Sequence, residues 1–359
     1  MWDAIIAGAG PAGSVAAHVL ARNGCRVLLA DGVPHKKFKA GEALPGAALR
    51  ILRELQLPLS NERGLHTQIG GNLSSWGSEE LIAADFLHDP DGPGWRLDRL
   101  QFDADLRTAA LRSGAIFKEV RVLDACRDGK AWSIKFDNDE TATARWIVDA
   151  SGRSAVLSRK LGATWKRDTQ LTALYTVGKA GDDIRLNRTI VEAVPEGWWY
   201  AALLPSGAAI AGFHTLQERA ASLAACPTAW RQALNETRHV AGAFPNLIFD
   251  SSLRALDASG GRLLPFGEDG WIACGDAALS FDPIASQGIF SALYSGMMAG
   301  KTIHASLTGD TKALDLYTSR LEEVRRIYSL RCLSMYRAEK RWPGSRFWRQ
   351  VQGVSLLDS

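Results

Sequence analysis

The first thirty residues change hydrophobic period twice. Ala4 to Ala7 is an unbroken apolar run of strand length, Ser14 to Asn23 spaces small and apolar residues as a helix does, and Arg26 to Ala30 returns to a short apolar run. Strand, helix and strand in that order predict a βαβ unit. From Ser151 to Arg254 the pattern becomes alternating, in LTALYTVG, RTIVEAV, GWWYAALLP and GAAIAGFH. These read as an antiparallel sheet, packed on one face and solvated or pocket-facing on the other. Within GWWYAALLP, Trp198, Tyr200, Ala202 and Leu204 share one face, and Trp199, Ala201 and Leu203 the other.

The expected architecture is α/β with an α+β second lobe. A discontinuous dinucleotide-binding domain (1–60, 95–165 and 255–308) carries a sheet domain (61–94 and 166–254), and 309–359 is a helical tail. Composition agrees with a globular chain: 359 residues, 46% hydrophobic and 23% charged, are enough for a core and a second lobe. No apolar stretch is long enough for a membrane span and no signal region opens the chain, so a cytoplasmic location without stable membrane association is expected. Five scattered cysteines, none in C-x-x-C spacing, fit reduced structural thiols, and no metal site or nucleic-acid partner is expected. Net charge is only +3, but residues 310–359 hold ten Lys/Arg against six Asp/Glu. That tail is either a solvated helix face or a docking surface for an acidic partner.

In DAIIAGAGPAGSVAAHVLARNGCRVLLAD, Gly8, Gly10 and Gly13 have G-x-G-x-x-G spacing, with Ala12 in the same turn. Gly8 makes the tight turn, Gly10 lets the backbone approach a pyrophosphate and Gly13 permits helix-on-strand contact. The helix N-terminus offers N–H groups and a positive dipole end to the phosphates. Asp31 closes the second strand, where an acidic side chain accepts hydrogen bonds from ribose hydroxyls.

Two more regions complete the pattern. One is RLDRLQFDADLRTAALRSGA (96–115), an amphipathic helix, together with ARWIVDASGR (144–153). The other is WIACGDAALSFDPIASQGIFSAL (271–293), a strand, an acidic turn and a loop opening into a long helix. With these three motifs in order, residues 1 to about 305 resemble the flavoprotein monooxygenase superfamily, whose glutathione-reductase-type FAD fold is shared by flavin-dependent halogenases and prenyl reductases.

The resemblance implies FAD as cofactor. Arg99 then reaches its phosphate or ribityl region, Val122 offers backbone to the adenine, and Gly275 and Asp276 meet the ribityl chain. Pro283 lies near the flavin ring, and Gln287, Gly288 and Ile289 present N–H groups to it. The helix opening there would aim its positive end at the charge of reduced flavin. In the G-E turn, Lys39 is a candidate for the phosphate and Glu42 for the ring side, with ordinary loop charges as the alternative.

Aligned on Pro205, halogenases of this superfamily carry W-x-W-x-I-P, whereas this chain has Tyr200 and Ala202 at the two aromatic positions. An opened cavity beside the flavin is therefore expected at Ala202. Halogenases also need a lysine after the G-E turn, and no lysine occurs between Lys39 and Lys118. Tyr200, Ala202, Trp199 and Trp76 are the candidate substrate residues. His214, at the end of its strand, joins Pro283, Gln287 and Gly288 as a catalytic candidate, with a structural histidine as the alternative.

The expected function is aromatic hydroxylation through C4a-hydroperoxyflavin, with molecular oxygen as co-substrate and NAD(P)H or a partner reductase as electron source. GWWYAALLP, DPIASQGIFSAL and RWPGSRFW resemble the maturation flavoproteins that modify a tryptophan within a partner oxidase. The aromatic substrate is accordingly a tryptophan or indole, free or within a partner protein or peptide. The alternatives are reduction of prenyl chains, halogenase-like chemistry, and a flavin-binding sensor.

Overall fold

A computed structural model of the chain describes residues 1–32, 39–59, 64–86, 89–181, 184–244, 247–249 and 253–353. Residues 354–359, the end of the expected helical tail, lie outside them.

The strand Trp2–Ala7 sits mid-sheet, and its Ala4, Ile5 and Ile6 are wholly buried. It pairs in parallel with Val27–Ala30 on one side and Thr141–Asp149 on the other, and Ile116–Lys118 and Trp271–Ala273 extend the parallel run outward. A meander through Val122–Asp128 and Ala131–Phe136 adds antiparallel strands. The first helix is Pro11–Arg22, beginning before the expected Ser14. Proline at the first helical position has no N–H to lose and its φ is already helical.

Helix Pro11–Arg22 packs on helix Arg99–Arg112 and on helix Gly288–Leu307. Its contact with the last is backbone-close. A Cβ on Gly296 would lie 2.3 Å from the Ala12 carbonyl oxygen, and one on Gly300 would lie 2.8 Å from Val19 Cβ.

The second sheet runs 248–249, Leu171–Lys179, Ala208–Leu216, Gly197–Leu203, Arg188–Val194, Gly71–Ser75 and Ile82–Asp85. It is antiparallel except where Arg188–Val194 runs parallel to Gly71–Ser75. Two strands depart from the expected domain limits. Arg254–Asp257 also pairs with Leu171–Lys179, so it belongs to this sheet rather than to the cofactor domain. His66–Ile69 instead joins Gly94–Leu97 and Ala43–Leu44 in a separate small sheet.

The two faces of the second sheet do different work. Outward, Trp199 stacks on Phe213 and meets Trp230 under the helices Gln217–Ala224, Pro227–Asn235 and His239–Ala243. The buried Glu192 carboxylate accepts the N–H groups of Arg238, His239 and Val240, which caps the last of these helices. The inward face carries Trp198, Tyr200 and Ala202.

Helix Ala313–Ala338 bridges both lobes. Tyr317 Oη donates to the Ala273 carbonyl at 2.6 Å, and Arg325 makes a buried two-pronged ion pair with Asp168 at 2.5 and 2.6 Å. Trp198 Nε1 donates to Tyr336 Oη at 3.2 Å. After it, helix Arg346–Gln352 sends Trp348 Nε1 to the Val194 carbonyl at 3.0 Å. Among the described residues all five cysteines are free thiols, and no helix is long and apolar enough to cross a membrane.

Gly296→Ala tests the close helix contact. A methyl there meets backbone that cannot swing aside, so urea denaturation should show a loss of about 1–3 kcal/mol. Unchanged stability would mean that the two helices are not in backbone contact.

Candidate functional site

Two glycine classes meet where the helices Pro11–Arg22 and Gly288–Leu307 begin. Gly8 has φ +105°, and a Cβ on it would lie 2.3 Å from the Ala150 carbonyl; one on Gly13 would lie 1.9 Å from the Gly8 carbonyl. Gly275, at φ +63°, leaves 2.7 Å to Ala12 Cβ. These three serve the protein's own packing. A Cβ on Gly10 or Gly288, in contrast, meets nothing within 4 Å among the described residues. Both helices begin without a side-chain cap, Gly10 and Gln287 being their N-cap residues. Two helix ends with uncapped N–H groups thus border open space, which is what an anionic cofactor requires.

The surrounding groups fit FAD. Asp31 Oδ2 accepts the Ala9 N–H at 2.9 Å, which ties the acidic residue to the glycine turn. Val122 opens the strand Val122–Asp128. Asp276 is half-buried with Arg153 Nε at 3.5 Å; burial pushes its carboxyl up, against the pull of Arg153 and then Arg99. FAD would be held by the N–H groups of the glycine turn at its diphosphate, Asp31 at a ribose, Val122 at the adenine and Asp276 at the ribityl chain. The N–H groups from Gln287 to Ile289 would meet the ring. The Ile289 side chain itself is buried among helices.

Arg99 and Lys39 both have partners within the protein. Arg99 Nη1 donates to the carbonyls of Ala40 and Gly41 at 3.0 and 2.5 Å, and its guanidinium pairs with Asp103 at 3.2 Å. Lys39 Nζ lies 2.8 Å from the same Asp103. Together they pin the G-E turn to helix Arg99–Arg112.

That turn delivers Glu42 to the inward face of the second sheet. Tyr200 donates its phenolic hydrogen to Glu42 Oε1. Arg96 Nη1 donates to Tyr200 Oη at 2.6 Å and to Glu42 Oε1 at 3.1 Å, and its Nη2 donates to Thr189 Oγ1 at 2.9 Å. Arg96 is 1% and Glu42 3% exposed, and Arg96 Nε has no partner among the described residues. Burial pushes the Tyr200 phenol well above its ordinary value despite Arg96, so it stays protonated. Sequence reasoning missed Arg96 and Thr189. The one signal was an arginine inside the short strand Gly94–Leu97, whose partner Ala43–Leu44 adjoins Glu42.

Four expected site residues are placed otherwise. Trp199 lies on the outward face, in the core under the helices, because strand side chains alternate and Tyr200 takes the inward one. Trp76 is closed in by Trp198, Tyr336 and Trp348, and its Nε1 donates to the Met335 carbonyl at 2.7 Å. His214 is stacked on Trp198 with centroids 3.7 Å apart, and burial lowers its pKa to about 3. A ring that stays neutral throughout the working range is no general acid or base. Ala202 is fully buried and clusters with Tyr175 and Ile210, so among the described residues the missing indole leaves no opening to solvent at that position.

The loop before the long helix is tightly fixed. Asp282 Oδ1 caps Ile284 N at 3.0 Å, the tight turn Pro283–Ala285 follows, and Ser286 takes φ +49°. Pro283 and Gln287 are half-buried and Gly288 is exposed.

Comparison with known proteins agrees with this geometry. The family described as tryptophan halogenase matches residues 88–359. A Marinomonas mediterranea protein named as an FAD-dependent oxidoreductase, LodB, is 29% identical over 99% of this chain and 98% of its own. The 1H-pyrrole-2-carbonyl-[peptidyl-carrier protein] brominase of Pseudoalteromonas luteoviolacea is 27% identical over 89% of this chain and 81% of its own. Among solved structures, the myxobacterial chondrochloren halogenase CndH superposes with a TM-score of 0.84 at 23% identity, covering 99% of this chain and 86% of that one. The peptidyl tryptophan dihydroxylase QhpG superposes at 0.77 with 24% identity, covering 98% and 78%. Both share this fold.

Gly10→Ala separates cofactor cradle from core. Its φ of −73° and ψ of −174° suit alanine, so apo stability should hold or rise by about 0.4–1 kcal/mol, while FAD affinity in titration falls. Equal FAD affinity would place the diphosphate elsewhere.

His214 sets a pH dependence. Its pKa is lowered, so the unfolded chain takes the proton first; its stabilising contribution is complete above about 6.5 and is lost as pH falls through about 3. Asp282, raised to about 6, acts oppositely: its contribution is present below 3.8 and lost as pH rises through about 6. His214→Phe should therefore show a shallower fall of Tm between pH 6.5 and 3 than the wild type, and an identical slope would refute the buried neutral ring.

Proposed function

Because the chain belongs to the tryptophan halogenase family, we propose that this FAD-dependent oxidoreductase is a monooxygenase which hydroxylates an electron-rich aromatic ring. The favoured substrate is a tryptophan or indole borne by a partner protein or peptide. The observation that carries hydroxylation over halogenation is the state of Lys39. It is the last lysine before Lys118, and its ammonium is bound to Asp103. A lysine free to direct a halogenating agent is thus missing after the G-E turn. Two relatives support a protein-borne substrate by their names, one acting on a peptidyl-carrier protein and one on peptidyl tryptophan.

When bound and reduced, FAD activates molecular oxygen for transfer, with NAD(P)H or a partner reductase as the electron source. The chain's own part is binding, orientation and water exclusion. The uncapped helix start at Gln287 and Gly288 favours negative charge on whatever lies against it. Tyr200 keeps its proton, which Glu42 holds by hydrogen bond while Arg96 fixes the phenol oxygen from the other side. The hydroxyl is therefore oriented without becoming phenolate, and it can position a ring without competing as a nucleophile. The closed inward face around Ala202, Tyr175 and Ile210 excludes water on that side.

A second reading, halogenation, is favoured by the names of several relatives. Turnover with labelled dioxygen in saturating chloride or bromide separates the two. Hydroxylation predicts a product gaining labelled oxygen and no carbon–halogen bond, and a halogenated product would sink it.

A further inference from the structure

Four of the twelve tryptophans gather with Tyr336 where the C-terminal helices cross the second sheet. Trp76 lies 6.0 Å from Tyr336, 6.3 Å from Trp198 and 5.3 Å from Trp348 between ring centroids, and Trp348 is 5.9 Å from Trp342. These are separations of rings in direct contact. Core packing explains why Trp198, Trp348 and Tyr336 are buried. It does not explain why the ring that joins this cluster to Asp282 is a phenol. Tyr336 Oη donates to Asp282 Oδ2 at 2.7 Å, and Asp282 immediately precedes Pro283. A phenol in this position costs desolvation, and its hydroxyl is spent on that one carboxylate and on Trp198.

We propose that Tyr336 and Trp76 form an escape path that carries single oxidising equivalents from the loop at Asp282 to the protein surface. The inference rests on the FAD reading, since it needs oxidants generated beside that loop. The oxidant is a one-electron oxidant derived from partly reduced dioxygen. Tyr336 gives it one electron, and the phenolic proton moves along the existing hydrogen bond to Asp282 Oδ2, leaving a phenoxyl radical and a carboxylic acid. Trp76 then supplies one electron to Tyr336, and the proton returns from Asp282 to the phenol oxygen. This hop is uphill, because an indole gives up an electron less readily than a phenol, and reduction of Trp76 from solution draws it forward. The indole radical cation left on Trp76 takes one electron from a thiol or ascorbate in solution, which releases its proton to water. One electron has passed from the soluble reductant to the oxidant, and the protein is unchanged.

Asp282 suits the transfer. Burial raises its pKa to about 6, so it is ionised at neutral pH yet a stronger proton acceptor than an exposed carboxylate. The outlet is also specific. Trp76 and Trp342 are both half-buried, but the Arg341 guanidinium sits 4.3 Å from the Trp342 ring centroid. A cation on the ring face opposes removal of an electron from it. Trp76 has no such neighbour among the described cation–ring contacts, and its N–H bonds to the carbonyl of Met335, an exposed thioether.

The test uses the full chain loaded with FAD under blue light, the excited flavin serving as the one-electron oxidant. Oxidised residues are mapped by peptide mass spectrometry, and radicals are followed by transient absorption. Oxygen additions should concentrate at Trp76 and Met335, about tenfold above Trp342, a margin of the size a cation over the ring supplies. Tyr336→Phe should delay the indole radical, and Trp76→Phe should abolish its long-lived fraction. Oxidation centred on Trp342, or spread evenly over the tryptophans, overturns the path and leaves the FAD site standing. Bound FAD that oxidises no aromatic residue overturns both. The wild-type map decides between Trp76 and Trp342 even where a variant fails to fold.

Discussion

The backbone contact between helix Pro11–Arg22 and its neighbours is the constraint on which the rest depends. Gly8, Gly13, Gly275 and Gly296 each remove a Cβ that would strike backbone or a neighbouring Cβ at less than 3 Å. Only with all four side chains absent can the first turn, the helix after it and the helix Gly288–Leu307 approach closely. That approach fixes two uncapped helix starts relative to each other, one at Gly10 and one at Gln287 and Gly288. Each of these positive helix ends favours negative charge placed against it. Packing and cofactor binding are therefore one design: the glycines that close the core also create the charge pattern that the cofactor answers.

Against this rigid half, the second sheet is fastened by polar groups. The Glu42, Arg96, Tyr200 and Thr189 cluster joins the G-E turn, the strand Gly94–Leu97 and two strands of the second sheet through hydrogen bonds between buried groups. Such a buried ion pair adds little net stability, because desolvation offsets its Coulomb gain. What it adds is geometry, since removing one partner would leave an uncompensated charge in the interior. Arg99 and Lys39 extend the same logic by holding the turn from its other side. The C-terminal helix completes the fastening, with Tyr317 on the parallel sheet, Arg325 on Asp168 and Tyr336 on both Asp282 and Trp198. Its inner face thereby fixes the loop that leads to Gln287 and Gly288.

What the sequence by itself determined is whatever depends on neighbours in the chain. Glycine spacing from Gly8 to Gly13, the strand and helix periods around it, and the alternation of Trp198, Trp199 and Tyr200 are local properties, and each appears in the fold as the pattern predicts. The second sheet was legible for the same reason. Tertiary structure alone decided which inward groups meet the site. Arg96 and Glu42 are far apart in sequence, and the only local mark of their pairing is an arginine inside a short strand. Trp76, just past the strand Gly71–Ser75, is flanked by Tyr336 and Trp348 of the C-terminal helices, which arrive from more than two hundred residues away in the chain, and His214 is stacked under Trp198, which Tyr336 in turn holds. Ala202 carries the same lesson, since the volume of a missing indole is an opening only if no neighbouring strand fills it, and Tyr175 and Ile210 do. Period along a chain fixes the face a side chain occupies; what lies across from that face is set by distant segments, through packing that leaves no local signature.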